Sequence, residues 1–72
     1  MKEYIIVIFD ETREVIIDEN PSGYYTDDVI ELEAGTHTIT LGGLKNFLPL
    51  EQDVNPSGTF PIEPEIIYFI MA

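Results

Sequence analysis

The alternation of apolar and polar residues is cleanest over "VIELEAGTHTITL", Val29 to Leu41. Ile30 and Leu32 fall on one side of an extended backbone, and Glu31 and Glu33 on the other. After Ala34-Gly35, residues His37, Ile39 and Leu41 share one side and Thr36, Thr38 and Thr40 the other. A period of two marks half-buried strands. The stretch therefore predicts a hairpin with arms Val29–Glu33 and Thr36–Leu41, turning at Ala34-Gly35.

The rest of the chain reads the same way. Tyr4–Phe9 and Ile66–Met71 are runs of β-branched and aromatic residues, which favour strands. Between Asp10-Glu11-Thr12-Arg13, a polar turn, and the loop Glu19–Asp28 lies a short strand, Glu14–Asp18. Gly42-Gly43 ends the second hairpin arm, a bend follows near Lys45-Asn46, and Leu48–Val54 forms a strand in which Pro49 requires either an edge position or a place among the first residues. Pro61 and Pro64 hold their neighbours extended. No window carries a sustained helical period. The expectation is one domain over residues 1–72: an all-β, small antiparallel β-sandwich of six or seven short strands.

Tyr4–Phe9 and Ile66–Met71 do not alternate; they are apolar on both faces. In a small sandwich one sheet face normally meets water and is polar. Two such runs either pair centrally with loops over their far face, or present that face to another copy of the chain. The expectation drawn from them is a homo-oligomer, with Ile67 and Phe69 at the contact together with the neighbouring aromatics Tyr24 and Tyr25.

One cassette occurs twice, "DENPSG" at Asp18–Gly23 and "DVNPSG" at Asp53–Gly58. Its alternate oxygens, Asp18, Asn20 and Ser22 in the first copy and Asp53, Asn55 and Ser57 in the second, have the spacing of a calcium loop. The closing carboxylate is missing: twelve residues along, the copies carry Val29 and Pro64. Asn-Pro-Ser-Gly is also a type I turn composition, with Asn at the first position, Pro at the second and Gly at the fourth. The turn is the preferred reading, and neither metal nor cofactor is expected.

Charge narrows the partners. Three Lys and Arg stand against 14 Asp and Glu, a formal net charge of −11. Nucleic acid and anionic membranes need clustered cations on the protein, so neither is expected. Without cysteine there is no disulfide or thiolate metal site. The start "MKEYIIVIFDETR" lacks the pattern of a secretory signal, since Glu3 interrupts the basic start and the apolar run ends at Asp10. The localisation expected from this is cytoplasmic.

Chemistry is sparse. His37, the single histidine, shares a face with Ile39 and Leu41 and reads as a packing residue. Gly42-Gly43 ends a strand and opens no helix, so it is not a phosphate loop. The carboxylates are scattered along turns and strand edges, where they oppose edge pairing. Tyr24-Tyr25 could form a platform for a sugar or peptide.

"EVIIDENPSG…TDDVIELEAGTHTITLGGLKNFLP…QDVNPSGT" resembles the PEGA domain, across most of Glu14 to Phe69. The features carrying the resemblance are the "VIID" strand, the "IEL" strand, Gly35-Thr36-His37 with "TITL" after it, and the Leu44–Pro49 bend. "DETRE" precedes the first strand in place of the name-giving Pro-Glu-Gly-Ala. The resemblance implies a small β-sandwich serving as a structural or interaction module, without catalytic residues. The function expected is therefore a non-enzymatic protein-interaction module that self-associates. The alternatives are a carbohydrate- or calcium-binding module, and an acidic mimic that occupies a basic partner.

Overall fold

The computed structural model describes all 72 residues. The chain is all-β. Its strands are β1 (Lys2–Ile8), β2 (Glu14–Ile17), β3 (Asn20–Tyr25), β4 (Val29–Glu33), β5 (His37–Leu41), β6 (Phe47–Leu48), β7 (Gln52–Val54), β8 (Glu65–Tyr68) and β9 (Ile70–Met71). They form a sheet β4-β1-β8, a facing sheet β3-β2-β5-β7, and a two-stranded piece β6-β9. Between the sheets lies one core: Ile5, Val7, Ile30, Leu32 and Ile67 from the first, Val15, Ile39, Leu41 and Val54 from the second. Three phenylalanines complete it. Phe47 is fully buried between Phe9 and Phe69, edge-on to both, with ring centroids 6.0 and 5.6 Å away. Such edge-to-face pairs are favoured by the ring quadrupoles.

The strand count exceeds the expected six or seven because the predicted Leu48–Val54 divides into β6 and β7, and the C-terminal run into β8 and β9. The cassette loop also contains a strand, β3. The sandwich is not wholly antiparallel: β1 pairs with β8 in parallel, Ile6 beside Ile66 and Val7 beside Ile67. The pairing of the two apolar runs is thus present, with β1 central and β8 at an edge.

The predicted hairpin is overturned. β4 and β5 have the expected bounds within a residue, yet β4 pairs with β1 and β5 with β2 and β7. Glu33 to His37 therefore crosses from one sheet to the other. Gly35 (φ +123°) takes the backbone where a Cβ would be strained, and Ala34 N–H continues the β4–β1 ladder onto Met1 C=O at 2.8 Å. Periodicity sees only which side of a strand is apolar. It cannot tell a hairpin, whose arms bury the same sheet face, from an arch that places its arms on facing sheets.

The Asn-Pro-Ser-Gly turn is also corrected in the first cassette. The reversal comes at Asp18-Glu19, both at positive φ (51° and 69°), as in the type I′ turns that match strand twist. Asn20-Pro21-Ser22-Gly23 then runs along β3. β3 is an edge strand, where the missing proline N–H costs no ladder bond. In the second copy Asp53 and Val54 end β7, and Asn55–Gly58 is an irregular loop with Pro56 fully buried. Identical residues thus adopt unlike backbones, because the first copy has a strand to pair with and the second does not.

Candidate functional site

The surface that stands out is the outer face of β4-β1-β8. Along β1, Ile5 and Val7 point inward, so Tyr4, Ile6 and Ile8 point out and are half-buried. Register places Val29 and Ile66 on either side of Ile6, and Tyr68 beside Ile8. Val29, Ile66 and Tyr68 are all exposed, Ile66 at 51%. Ile70, with the same parity, carries the apolar strip onto β9, where it pairs with exposed Leu48. At the other end of the sheet the face becomes charged: Lys2 Nζ lies 2.8 Å from Glu33 and 4.0 Å from Glu31. No pocket opens anywhere on the molecule.

The expected contact residues are placed unevenly. Ile67 and Phe69 are in the core, 4% and 3% exposed, so the interface assignment has the parity of this strand reversed: Ile66, Tyr68 and Ile70 are its outward residues. A run apolar at every position carries no phase, which is why sequence could not decide. Tyr24 and Tyr25 are both exposed on β3, but successive strand residues face opposite ways, so they do not share a platform.

Of the calcium-loop oxygens, those of Asp18, Ser22 and Asp53 are engaged in the fold. Asp18 accepts from Thr38 N–H (2.9 Å) and from His37 Nδ1 (2.7 Å). Asn20 Nδ2 donates to Asp18 C=O (2.9 Å). Ser22 Oγ donates to Val15 C=O (2.6 Å) and accepts from Tyr24 N–H (3.1 Å), bridging a register shift between β2 and β3. Asp53 accepts from Thr38 Oγ1 (2.7 Å). Asn55 is exposed in its loop, as is Ser57. No group of three His, Asp or Glu side chains is arranged to hold a metal ion.

The polar side chains tie strands together. His37 Nε2 lies 2.6 Å from Glu33 C=O, so both ring nitrogens are used at the arch. Burial alone would lower the His37 pKa. The hydrogen bond and charge of Asp18, with the Glu33 carbonyl, outweigh this and raise it. The Asp18 carboxyl is held below its ordinary range, first by Thr38 N–H and then by His37.

Two polar groups went unnoticed in the sequence. Glu3 is buried on the inward side of β1 and accepts from both Thr59 Oγ1 and Thr59 N–H, the latter at 2.9 Å. Those bonds, the hydroxyl first, lower its pKa. Arg13, read as part of a polar turn, has a side chain only 12% exposed. Its guanidinium donates to Gly42 C=O (3.0 Å), Leu44 C=O (2.9 Å), Asn46 Oδ1 (2.6 Å) and Glu11, and lies 5.4 Å from the Phe9 ring centroid. A composition this poor in cations was the available signal: each of the few invites a specific structural use.

No protein-family model matches the chain, and neither curated proteins nor solved structures yield a match.

Proposed function

We propose that this chain is a non-enzymatic protein-interaction module that self-associates through the β4-β1-β8 sheet, whose outer face carries an apolar strip. The observation carrying the reading is that strip: Val29, Ile6 and Ile66 in one row, then Ile8 and Tyr68, then Ile70 and Leu48. A contiguous apolar patch rimmed by charge is the usual mark of a docking surface. The side chains with reactive potential support the same reading, since His37 and Asp18 spend their polar atoms on each other and on the backbone. The PEGA-like features of the sequence point to the same class of module.

Sedimentation velocity tests it. The wild-type chain is expected to shift from monomer toward dimer between about 10 and 500 μM, the range of a modest apolar contact. Raising salt should strengthen the association, because it screens repulsion between two copies of charge −11. Binding to a basic partner would instead weaken with salt. A chain that stays monomeric throughout overturns the proposal.

A further inference from the structure

We infer that the second copy joins at the free edge of β8, antiparallel, with a twofold axis through Ile67, so that two three-stranded sheets become one of six strands. This rests on the self-association reading above and specifies its geometry.

The edges of the two sheets differ in what they offer. β3 carries Pro21 and a register shift, and β7 has only three residues. β4 is long enough, but its outward backbone groups belong to Val29, Glu31 and Glu33, so carboxylates line it. This follows from Ala34 N–H bonding Met1 C=O, since alternation then turns Leu32 and Ile30 toward β1 as well. Prolines, irregularities, shortness and charge are the ordinary protections of an edge. β8 is also short, four residues after Pro64, but Ile66–Tyr68 carries no proline, irregularity or charge.

The edge of β8 also fits itself. Phe69 N–H bonds Ile8 C=O, so by alternation Ile67 faces β1 and Ile66 and Tyr68 direct their backbone groups away from it. A twofold through Ile67 places Ile66 opposite Tyr68 of the second copy. Each such pair exchanges two backbone bonds, and symmetry makes a second pair. Shifting the axis to Ile66 would set Tyr68 against Pro64, which has no N–H to give. In the Ile67 register outward residues meet outward residues, and the apolar strip runs unbroken across the junction.

Charge decides between this geometry and packing the two outer faces together. Stacked sheets lie about 10 Å apart, which would bring the Glu31 and Glu33 ends of two acidic molecules close together. In the six-stranded sheet the two β4 strands are five strand spacings apart, roughly 24 Å, against a Debye length of about 8 Å at physiological salt. One intramolecular group touches the edge: Gln52 Nε2 donates to Tyr68 C=O at 2.6 Å. A carbonyl accepts two bonds, so Gln52 competes with the second copy without blocking it.

Two substitutions and one exchange measurement test the geometry. Ile66→Pro removes an N–H that points away from β1, so the fold should persist by near-UV circular dichroism while dimerisation weakens at least tenfold. Ile6→Lys alters the centre of the outer face but not the edge, and should leave dimerisation within a few-fold. Hydrogen exchange at rising concentration should slow at the amides of Ile66 and Tyr68 and stay unchanged at Val29, Glu31 and Glu33. A dimer that survives Ile66→Pro and is lost with Ile6→Lys overturns the edge geometry and leaves the self-association reading standing. Protection appearing on the β4 amides instead also overturns it. A wild-type chain that never dimerises removes both.

Discussion

Asp18 and Asp53, the first residues of the two cassettes, meet on one strand position. Asp18 accepts the backbone N–H of Thr38 and Asp53 its hydroxyl. β2 ends at Ile17, so Thr38 N–H bonds the Asp18 carboxylate in place of a strand carbonyl, while Asp18 N–H bonds Thr38 C=O at 2.9 Å. Asp18 thereby fixes the turn between β2 and β3 onto β5, whereas Asp53 adds a cross-strand pair to an already formed ladder. Asp18→Ala is expected to destabilise by about 1 kcal/mol, a charged hydrogen bond discounted for the half-exposed carboxylate. Asp53→Ala should stay within about 0.5 kcal/mol, as for ordinary surface changes. Urea unfolding of the two variants side by side measures the difference.

The His37–Asp18 contact makes stability depend on pH in the neutral range. The folded histidine pKa is raised, so the unfolded chain loses this proton at lower pH than the folded one. Its contribution is fully present below about 6.5, the unfolded value, and disappears as pH climbs through the raised folded value. The melting-temperature gap between wild type and His37→Gln should therefore be widest near pH 5.5 and narrower by pH 9. A gap that widens with pH would contradict the assignment of Asp18 as the stabilising partner.

Glu3 acts in the opposite direction. Its folded pKa is lowered by Thr59, so its contribution is present above the ordinary carboxylate range and fades as pH falls through the folded value. Glu3→Gln should melt below wild type at pH 7, and the two curves should converge under acid. Thr59→Val removes the hydroxyl that bridges Glu3 and Tyr4 N–H, and should give the same pattern while leaving the Thr59 N–H bond intact.

These contacts show what the sequence carried and what it did not. Strand content was legible because alternation at Val29–Glu33 and Thr36–Leu41 is a local property, and the core residues Ile30, Leu32, Ile39 and Leu41 fell where it put them. Pairing was not legible, because β4 and β5 look alike whether they join one sheet or two. The interface expectation at Ile67 and Phe69 failed for want of phase: in "EIIYFIM" either parity buries an apolar set, and only pairing with β1 selects one. The cassettes were misleading in a different way. Asn-Pro-Ser-Gly satisfies a turn, but Pro21 also fits an edge strand, and the Asp18-Glu19 reversal depended on His37 and Thr38, distant in sequence.

Arg13 is the residue whose loss should cost the fold most outside the core. Leu41, Phe47 and the turn between them must pack against the β1–β2 connection, yet the only backbone bond that Gly42–Asn46 makes there is Gly42 N–H to Glu14 C=O at 2.9 Å. The guanidinium supplies the missing donors, spreading rigid N–H groups over Gly42 C=O, Leu44 C=O and Asn46 Oδ1. Gly43, at φ +82°, leaves room for it; a Cβ there would sit 3.3 Å from Arg13 Nη1. Arg13→Met keeps the apolar stem over Phe9 but strips every donor, leaving carbonyls unpaired, and is expected to cost about 2–3 kcal/mol. Arg13→Lys should recover little of this, because one ammonium cannot span three acceptors in a fork. A domain of this size holds only about 3–5 kcal/mol in reserve, so Arg13→Met should be partly unfolded at 37 °C. Thermal unfolding by far-UV circular dichroism checks this, and a variant melting within about 3 °C of wild type would show that the loop holds without the clamp.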